Sequence, residues 1–347
     1  MDGDCGRRVR SIGCVGLRND FGLADDVQGG LTHVFHSDGL PYFLLLNENP
    51  SSVLIAMTTY NLQILLYFLY IIFCSLIPKT KSLTFNLTNI GPQYQNINIT
   101  TFLDAYISSE GLQVTTNDRG NLQQKVGKAT YIDLLHLWDK STGNLTDFYT
   151  HFTFVIDSDG NNSYADGFTF FLAPDGSNST GGGGAMGLPI NTTTLAPTSH
   201  FVAVEFDTFQ NYGWDPLNIS PVTHVGIDVS SLTSNVTAVW YCNVTGGIQN
   251  EAWIRYDSRS HNLTVVFTGS TNTTRVNDTI HLIVDLRDYL PEWVTFGFSA
   301  ATGTLFEINN VKSWDFSSSL QTNVTDPMSG EKSVETRPAV NNSGNGG

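Results

Sequence analysis

Short runs of alternating apolar and polar residues, broken by Gly, Asn and Asp clusters, recur from Ser82 onward. Leu83–Leu87, Thr150–Ile156, Gly167–Leu172, Leu263–Thr268, His281–Leu286, Val294–Phe298 and Glu307–Trp314 all follow this pattern. Side chains two apart share one face of a strand, so each run can bury one face and wet the other. Asp157-Ser-Asp-Gly160, Pro174-Asp-Gly-Ser177 and Ser258-Arg-Ser-His-Asn262 supply the turns. No segment in this stretch carries a long capped helical period. The pattern predicts an all-β fold of antiparallel sheets, a sandwich or a barrel, without tandem repeats.

One of the strands carries chemistry. Phe201-Val-Ala-Val-Glu-Phe-Asp-Thr-Phe-Gln-Asn-Tyr-Gly-Trp-Asp215 is a strand running into a loop. Ala203, Glu205, Asp207 and Phe209 point one way, and Val202, Val204 and Phe206 the other. Two carboxylates a residue apart on one face repel unless a positive charge sits between them. Oxygen ligands from Asp207, Asn211, Asp215 and a backbone carbonyl in the loop, assigned to Phe209, suit calcium. Glu205 with the imidazole of His224, at the start of His224-Val-Gly-Ile-Asp-Val229, suits a transition ion such as manganese. Asp207 and Asp215 are placed to serve both ions. The competing interpretation is a strand with ordinary surface acids.

These residues resemble the legume-type (L-type) lectin family. Its hallmark is a Val-Glu-Phe-Asp-Thr-Phe-x-Asn strand and loop, a Trp-Asp-Pro and a His-x-Gly-Ile-Asp, all present here in order. Ala165-Asp-Gly-Phe-Thr-Phe-Phe-Leu-Ala-Pro174 is similar to the family's sugar-site strand, and Gly181-Gly-Gly-Gly-Ala-Met-Gly187 to its glycine loop. Leu290-Pro-Glu-Trp-Val294 and Gly297-Phe-Ser-Ala-Ala-Thr-Gly303 are similar to its C-terminal landmarks. The resemblance covers about residues 82–317 and implies a concanavalin-like jelly-roll sandwich with a flat back sheet and a curved front sheet. It also implies a monosaccharide site. Asp166 accepts from vicinal hydroxyls, Gly184 donates a backbone N–H, Asn211 donates through its amide and Phe209 stacks on the ring. Gly183 is the rival to Gly184. Thr304 and Leu305, in Thr302-Gly-Thr-Leu-Phe306, match a loop that helps choose between sugars. The Ala165–Asp166 bond is implied to be cis, and Ser234 falls where the family orients a metal-bound water. The Asp215-to-His224 spacer is longer than in many members.

Other functions fit less well. A formal charge of −15 repels phosphate backbones and anionic membranes, which argues against nucleic acid as a partner. The glycine run lacks the Lys-Ser/Thr of a P-loop. A jelly-roll glycoside hydrolase needs a second glutamate two residues beyond Asp207, where Phe209 stands. The expectation is a non-catalytic lectin with calcium and manganese, glycans or glycoproteins as partners, and a possible homodimer.

Ile64–Ile77 is an apolar run of signal-peptide size, with Met57 just ahead of it. Residues 1–56 are read as an upstream extension absent from the mature protein, 57–81 as the signal peptide, 82–317 as the lectin domain and 318–347 as a flexible polar tail. Asn-x-Ser/Thr sequons, among them Asn86, Asn144, Asn178, Asn191, Asn218 and Asn277, fit passage through the secretory pathway. Asn178, Asn191 and Asn218 are expected to flank the sugar site. The destination is extracellular, apoplastic or vacuolar. No transmembrane run follows the domain, so a truncated ectodomain of a lectin receptor kinase is the alternative to a soluble lectin. Cys242 lies outside the segments expected to be removed and is read as a small apolar side chain.

Overall fold

The computed structural model describes residues 34–35, 41–42, 60–72, 80–178, 181–271 and 274–323. The chain divides into Met1–Ile77 and Pro78–Gly347. In the first unit, residues 60–72 form a helix within the apolar run, and Val34–Phe35 pairs with Pro41–Tyr42. No helix among the described residues is long and apolar enough to cross a membrane. Most of the upstream extension, and the tail beyond 323, lie outside the described residues.

The second unit is two eight-stranded antiparallel sheets, as the alternation predicts. The first sheet runs Val236–Val239, His224–Val229, Val202–Asp207, Gly167–Pro174, Trp293–Ala301, Val126–Tyr131 and Ile99–Leu103, with Leu135–His136 paired to Trp293–Ala301. The second runs Thr274–Ile283, Asn262–Thr271, Gln249–Asp257, Phe148–Asp157, Ile308–Asn323, Gly111–Gln113 and Tyr106–Ser108, with Thr80–Leu87 paired to Ile308–Asn323. The last strand outruns the expected Trp314 terminus because its backbone continues to pair with Thr80–Leu87, Asn323 opposite Thr80. His281–Leu286 is strand only to Ile283; Asp285 then accepts from the Arg287 amide and caps a 3-10 turn, Leu286–Asp288.

Between the sheets lies a core rich in aromatic rings. Phe152, Phe154 and Trp314 from one sheet meet Phe168, Phe206 and Phe298 from the other. Phe154 lies 4.7 Å from Phe168 and 4.8 Å from Phe206, and Trp314 lies 4.9 Å from Phe298. The buried indoles are satisfied: Trp314 donates to Thr150 Oγ1 at 2.9 Å and Trp240 to the Thr268 carbonyl at 2.9 Å.

Gly167–Pro174 and Val202–Asp207 are buried on both faces. Val202, Val204 and Phe206 enter the main core. On the opposite face Ala203, Phe171 and Ala173 pack under Ala185, Leu188, Ile190 and Phe201, where the chain after the glycine loop folds back over the sheet. Glu205 and Asp207, on the same face as Ala203, are buried too.

Cys242 is partly buried against the main core, and burial pushes its thiol up to about 12. A thiol so protonated should react with iodoacetamide at pH 8 orders of magnitude more slowly than a free cysteine of pKa ~8.5. Mass spectrometry of the native and the unfolded protein reads this directly.

Candidate metal centre and sugar site

Strand register assembles the acidic cluster. Asp207 stands opposite Gly167 on one side and His224 on the other, and Glu205 stands opposite Gly226. Glu205, Asp207 and His224 are all buried, and one ligand atom of each lies within 4.8 Å of the others. Gly226 makes the approach possible: a Cβ there would sit 2.5 Å from Glu205 Oε1. His224 Nδ1 lies 3.3 Å from the Val222 carbonyl, to which it can donate, leaving Nε2, 3.2 Å from Glu205 Oε1, as the inward-facing nitrogen. Ser234 bridges two carboxylates, donating to Asp228 Oδ1 at 2.5 Å and hydrogen-bonding Glu205 Oε1.

The loop adds the remaining oxygens. The Phe209 amide donates to Asp207 Oδ1 at 2.7 Å, and the Asn211 amide to Asp215 Oδ2 at 2.5 Å. Glu205, Asp215, His224 and Ser234 line one cavity of 170 Å³. The longer spacer does not displace His224.

The electrostatics are those of a site short of positive charge. Burial, then the charges of Glu205 and Asp215, raise the Asp207 carboxyl well above its usual range. Burial raises Asp215 to about 7 and, with the Glu205 charge, pushes Asp228 up. Burial lowers the His224 imidazolium, but the hydrogen bond and charge of Glu205 outweigh it and the net shift is upward. Asp207 Oδ2, Asn211 Oδ1 and Asp228 Oδ2 are buried with no hydrogen-bond partner. Unpaired buried oxygens beside carboxylates are costly. A hard dication is what this donor set fits, and the imidazole adds a borderline ligand beside it.

The expected sugar residues gather next to this cluster. The Ala165–Asp166 bond is cis. Asp166 is 6% exposed, and its Oδ2 has no partner. Burial raises its carboxyl to about 6, against the pull of the Gly303 amide. Both glycine candidates have a place. A Cβ on Gly184 would stand 2.5 Å from Asn211 Oδ1, so only glycine lets the loop close on Asn211. Gly183 has φ +60 and faces Asp166 Oδ2. Phe209 lies just past the strand and is 37% exposed, available as a surface ring. In the fourth loop Gly303 abuts Asp166, with Thr304 exposed and Leu305 half-buried beyond it. The Thr304 carbonyl accepts from Gln123 Nε2 at 2.5 Å, which ties the loop down.

Two buried acids were not singled out from the sequence. Asp228 continues the row His224, Gly226, Asp228 opposite Glu205's strand, so the period of two held the signal. Glu307 accepts from Thr208 Oγ1 at 2.7 Å, and burial raises it to about 8. Nothing local marks it, since its partner lies across the sandwich.

The legume lectin domain profile matches residues 82–332. The chain belongs to the legume lectin family. It is 39% identical over 250 residues to Lectin 9 of Medicago truncatula, covering 69% of this chain and 87% of that protein. It is 37% identical over 267 residues to a lectin of Lens culinaris subsp. orientalis, covering 76% and 93%. Among solved structures, basic winged bean lectin with Tn-antigen is similar at 37% identity and a TM-score of 0.60, covering 69% of this chain and 99% of the other. The metal-free form of Griffonia simplicifolia lectin I-B4 is similar at 34% identity and a TM-score of 0.62, covering 69% and 100%. The all-β jelly-roll sandwich is thus shown. Legume lectins bind carbohydrate without catalysis and are generally metal-binding.

Proposed function

We propose that this protein is a secreted lectin that recognises glycans through an ion-dependent site built around Asp166. The observation that supports it best is the convergence of unpartnered buried oxygens, on Asp166 from one segment and on Asp207 and Asn211 from another. Sugar hydroxyls and dications are what such oxygens lack.

In this reading Asp207, Asn211, Asp215 and the Phe209 carbonyl hold calcium, and Glu205, Asp207, Asp215 and His224 hold manganese or a similar ion. The ions supply positive charge that offsets the buried carboxylates. Asn211 then turns Oδ1 inward as a ligand and keeps Nδ2 free to donate to a sugar hydroxyl. Asp166 accepts two hydroxyls, the Gly184 amide donates, and Phe209 offers its ring to the C–H face of the pyranose. Thr304 and Leu305 border the site and bias which sugar enters. Basic winged bean lectin with Tn-antigen and lectin UEA-II with galactose are neighbours solved with sugars.

The domain boundaries at 82 and 317, routing through the secretory pathway and a homodimer belong to the same proposal. The sequon asparagines Asn86, Asn144, Asn191, Asn218 and Asn277 are exposed, as carriers of surface glycans must be. The test of function is a glycan array run with calcium and after chelation: calcium-dependent binding to a defined set supports the reading, and no binding in either condition refutes it.

Glu205→Ala separates the two ions. Glu205 faces His224, whereas the calcium set lies toward the loop. Manganese uptake, read by atomic absorption, should fall first and sugar affinity second. Full manganese content in this variant would refute the ligand assignment.

A further inference from the structure

The face of the first sheet turned away from the main core holds a second cavity, of 490 Å³, lined by none of the metal- or sugar-site residues. Strand alternation builds it. Ile99, Ala129 and Phe296 enter the core, which turns Thr100, Phe102, Lys128, Thr130 and Thr295 to the other side. Phe102, Leu103 and Ile132 form an apolar rim, 43%, 64% and 47% exposed. Thr130 and Thr295 are more than nine-tenths buried, line the cavity, and have no side-chain hydrogen bond among the described residues. Lys128 Nζ lies 4.9 Å from the Phe102 ring centre and donates to the Ser177 carbonyl at 3.0 Å.

Ser177 is followed by Asn178, an exposed asparagine that also lines the cavity and begins the sequon Asn178-Ser-Thr180. It therefore sits at this second cavity. An aromatic surface, free hydroxyls and one cation make a lining suited to a carbohydrate. A carbohydrate attached at the lip has almost no positional freedom left to lose, so weak contacts suffice to hold it.

We infer that Asn178 is N-glycosylated and that the first sugars of this glycan lie back in the cavity, against Phe102 and the threonine hydroxyls. The attachment rests on the secretory routing proposed above. It transfers an oligosaccharide from a lipid-linked pyrophosphate donor. The Asn178 amide nitrogen bonds to the sugar C1, the C1–O bond to pyrophosphate breaks, the lipid pyrophosphate leaves with the bonding pair, and one amide proton passes to base. The seated glycan covers the apolar rim.

The full chain and its Thr180→Ala variant, both made in a eukaryotic secretory host, test this. Thr180→Ala removes the sequon and leaves the lining residues intact. Peptide mapping should find a glycan at Asn178 that the variant lacks. Acetylation of Lys128 by an amine-reactive ester should be severalfold faster in the variant, with exposed Lys140 unchanged as control. An unmodified Asn178 beside glycosylated Asn191 or Asn218 overturns the inference and leaves the secretory routing standing. A glycosylated Asn178 with equal Lys128 rates shows a glycan extended into solvent, which also overturns it. A chain that is neither secreted nor glycosylated anywhere refutes the routing, and this inference falls with it.

Discussion

Asp166→Ala should abolish glycan binding and leave the fold standing. Asp166 is nearly buried, with an oxygen that no protein donor satisfies. In the ligand complex each hydroxyl bond to this carboxylate is worth about 1.5–3 kcal/mol. Losing two of them costs about 3–6 kcal/mol, roughly a hundredfold to ten-thousandfold in affinity. The fold does not draw on those bonds. Burial already holds this carboxyl up at about 6, so removing it relieves an unfavourable charge at neutral pH. Asn211→Ala should lose binding similarly, because Asn211 serves both the ion and the sugar. Isothermal titration against the best array ligand, with circular dichroism as control, measures both effects. Undiminished affinity in either variant would show that the site lies elsewhere.

Chelation should have the second largest effect, and its size depends on pH. Ions that bind only the folded chain at a hundred times their dissociation constant add about 2.7 kcal/mol of stability. Removing them strands Glu205, Asp207, Asp215 and Asp228 together in the interior. The melting temperature should fall by several degrees and glycan binding should vanish, both returning with calcium and manganese.

In the ion-free protein Asp207 and Asp228 are raised and Asp215 is held up at about 7, so the folded state binds more protons than the unfolded chain, whose aspartates titrate near ~3.9. Stability should therefore decline as pH rises through the window from about 4 to about 7. Ion loading needs the same groups deprotonated, so affinity for the ions should weaken as pH falls through about 7, and loading should release protons. Scanning calorimetry of loaded and chelated protein across this range should give opposite slopes. Parallel slopes would refute an ion site here.

The period of two, the turn residues and the absence of a helical period made an antiparallel all-β fold legible, because those patterns follow from backbone geometry and side-chain burial within a few residues. The same period put Glu205 and Asp207 on one face. Pairing does the rest, and pairing is long-range. Only the register of Val202–Asp207 between Gly167–Pro174 and His224–Val229 brings His224 to Asp207 and Asp228 into the same row. Only packing in the folded chain buries these carboxylates and shifts their protonation. Glu307 reaches Thr208 across 99 residues of sequence, and the second cavity needs three strands and a loop that are not neighbours in the chain. Sequence alone determined which residues alternate, where the chain turns and which ligand atoms it carries, since these are local properties. Tertiary structure alone decided which of those atoms meet and how dry they are, since burial and electrostatic coupling exist only once distant segments pack.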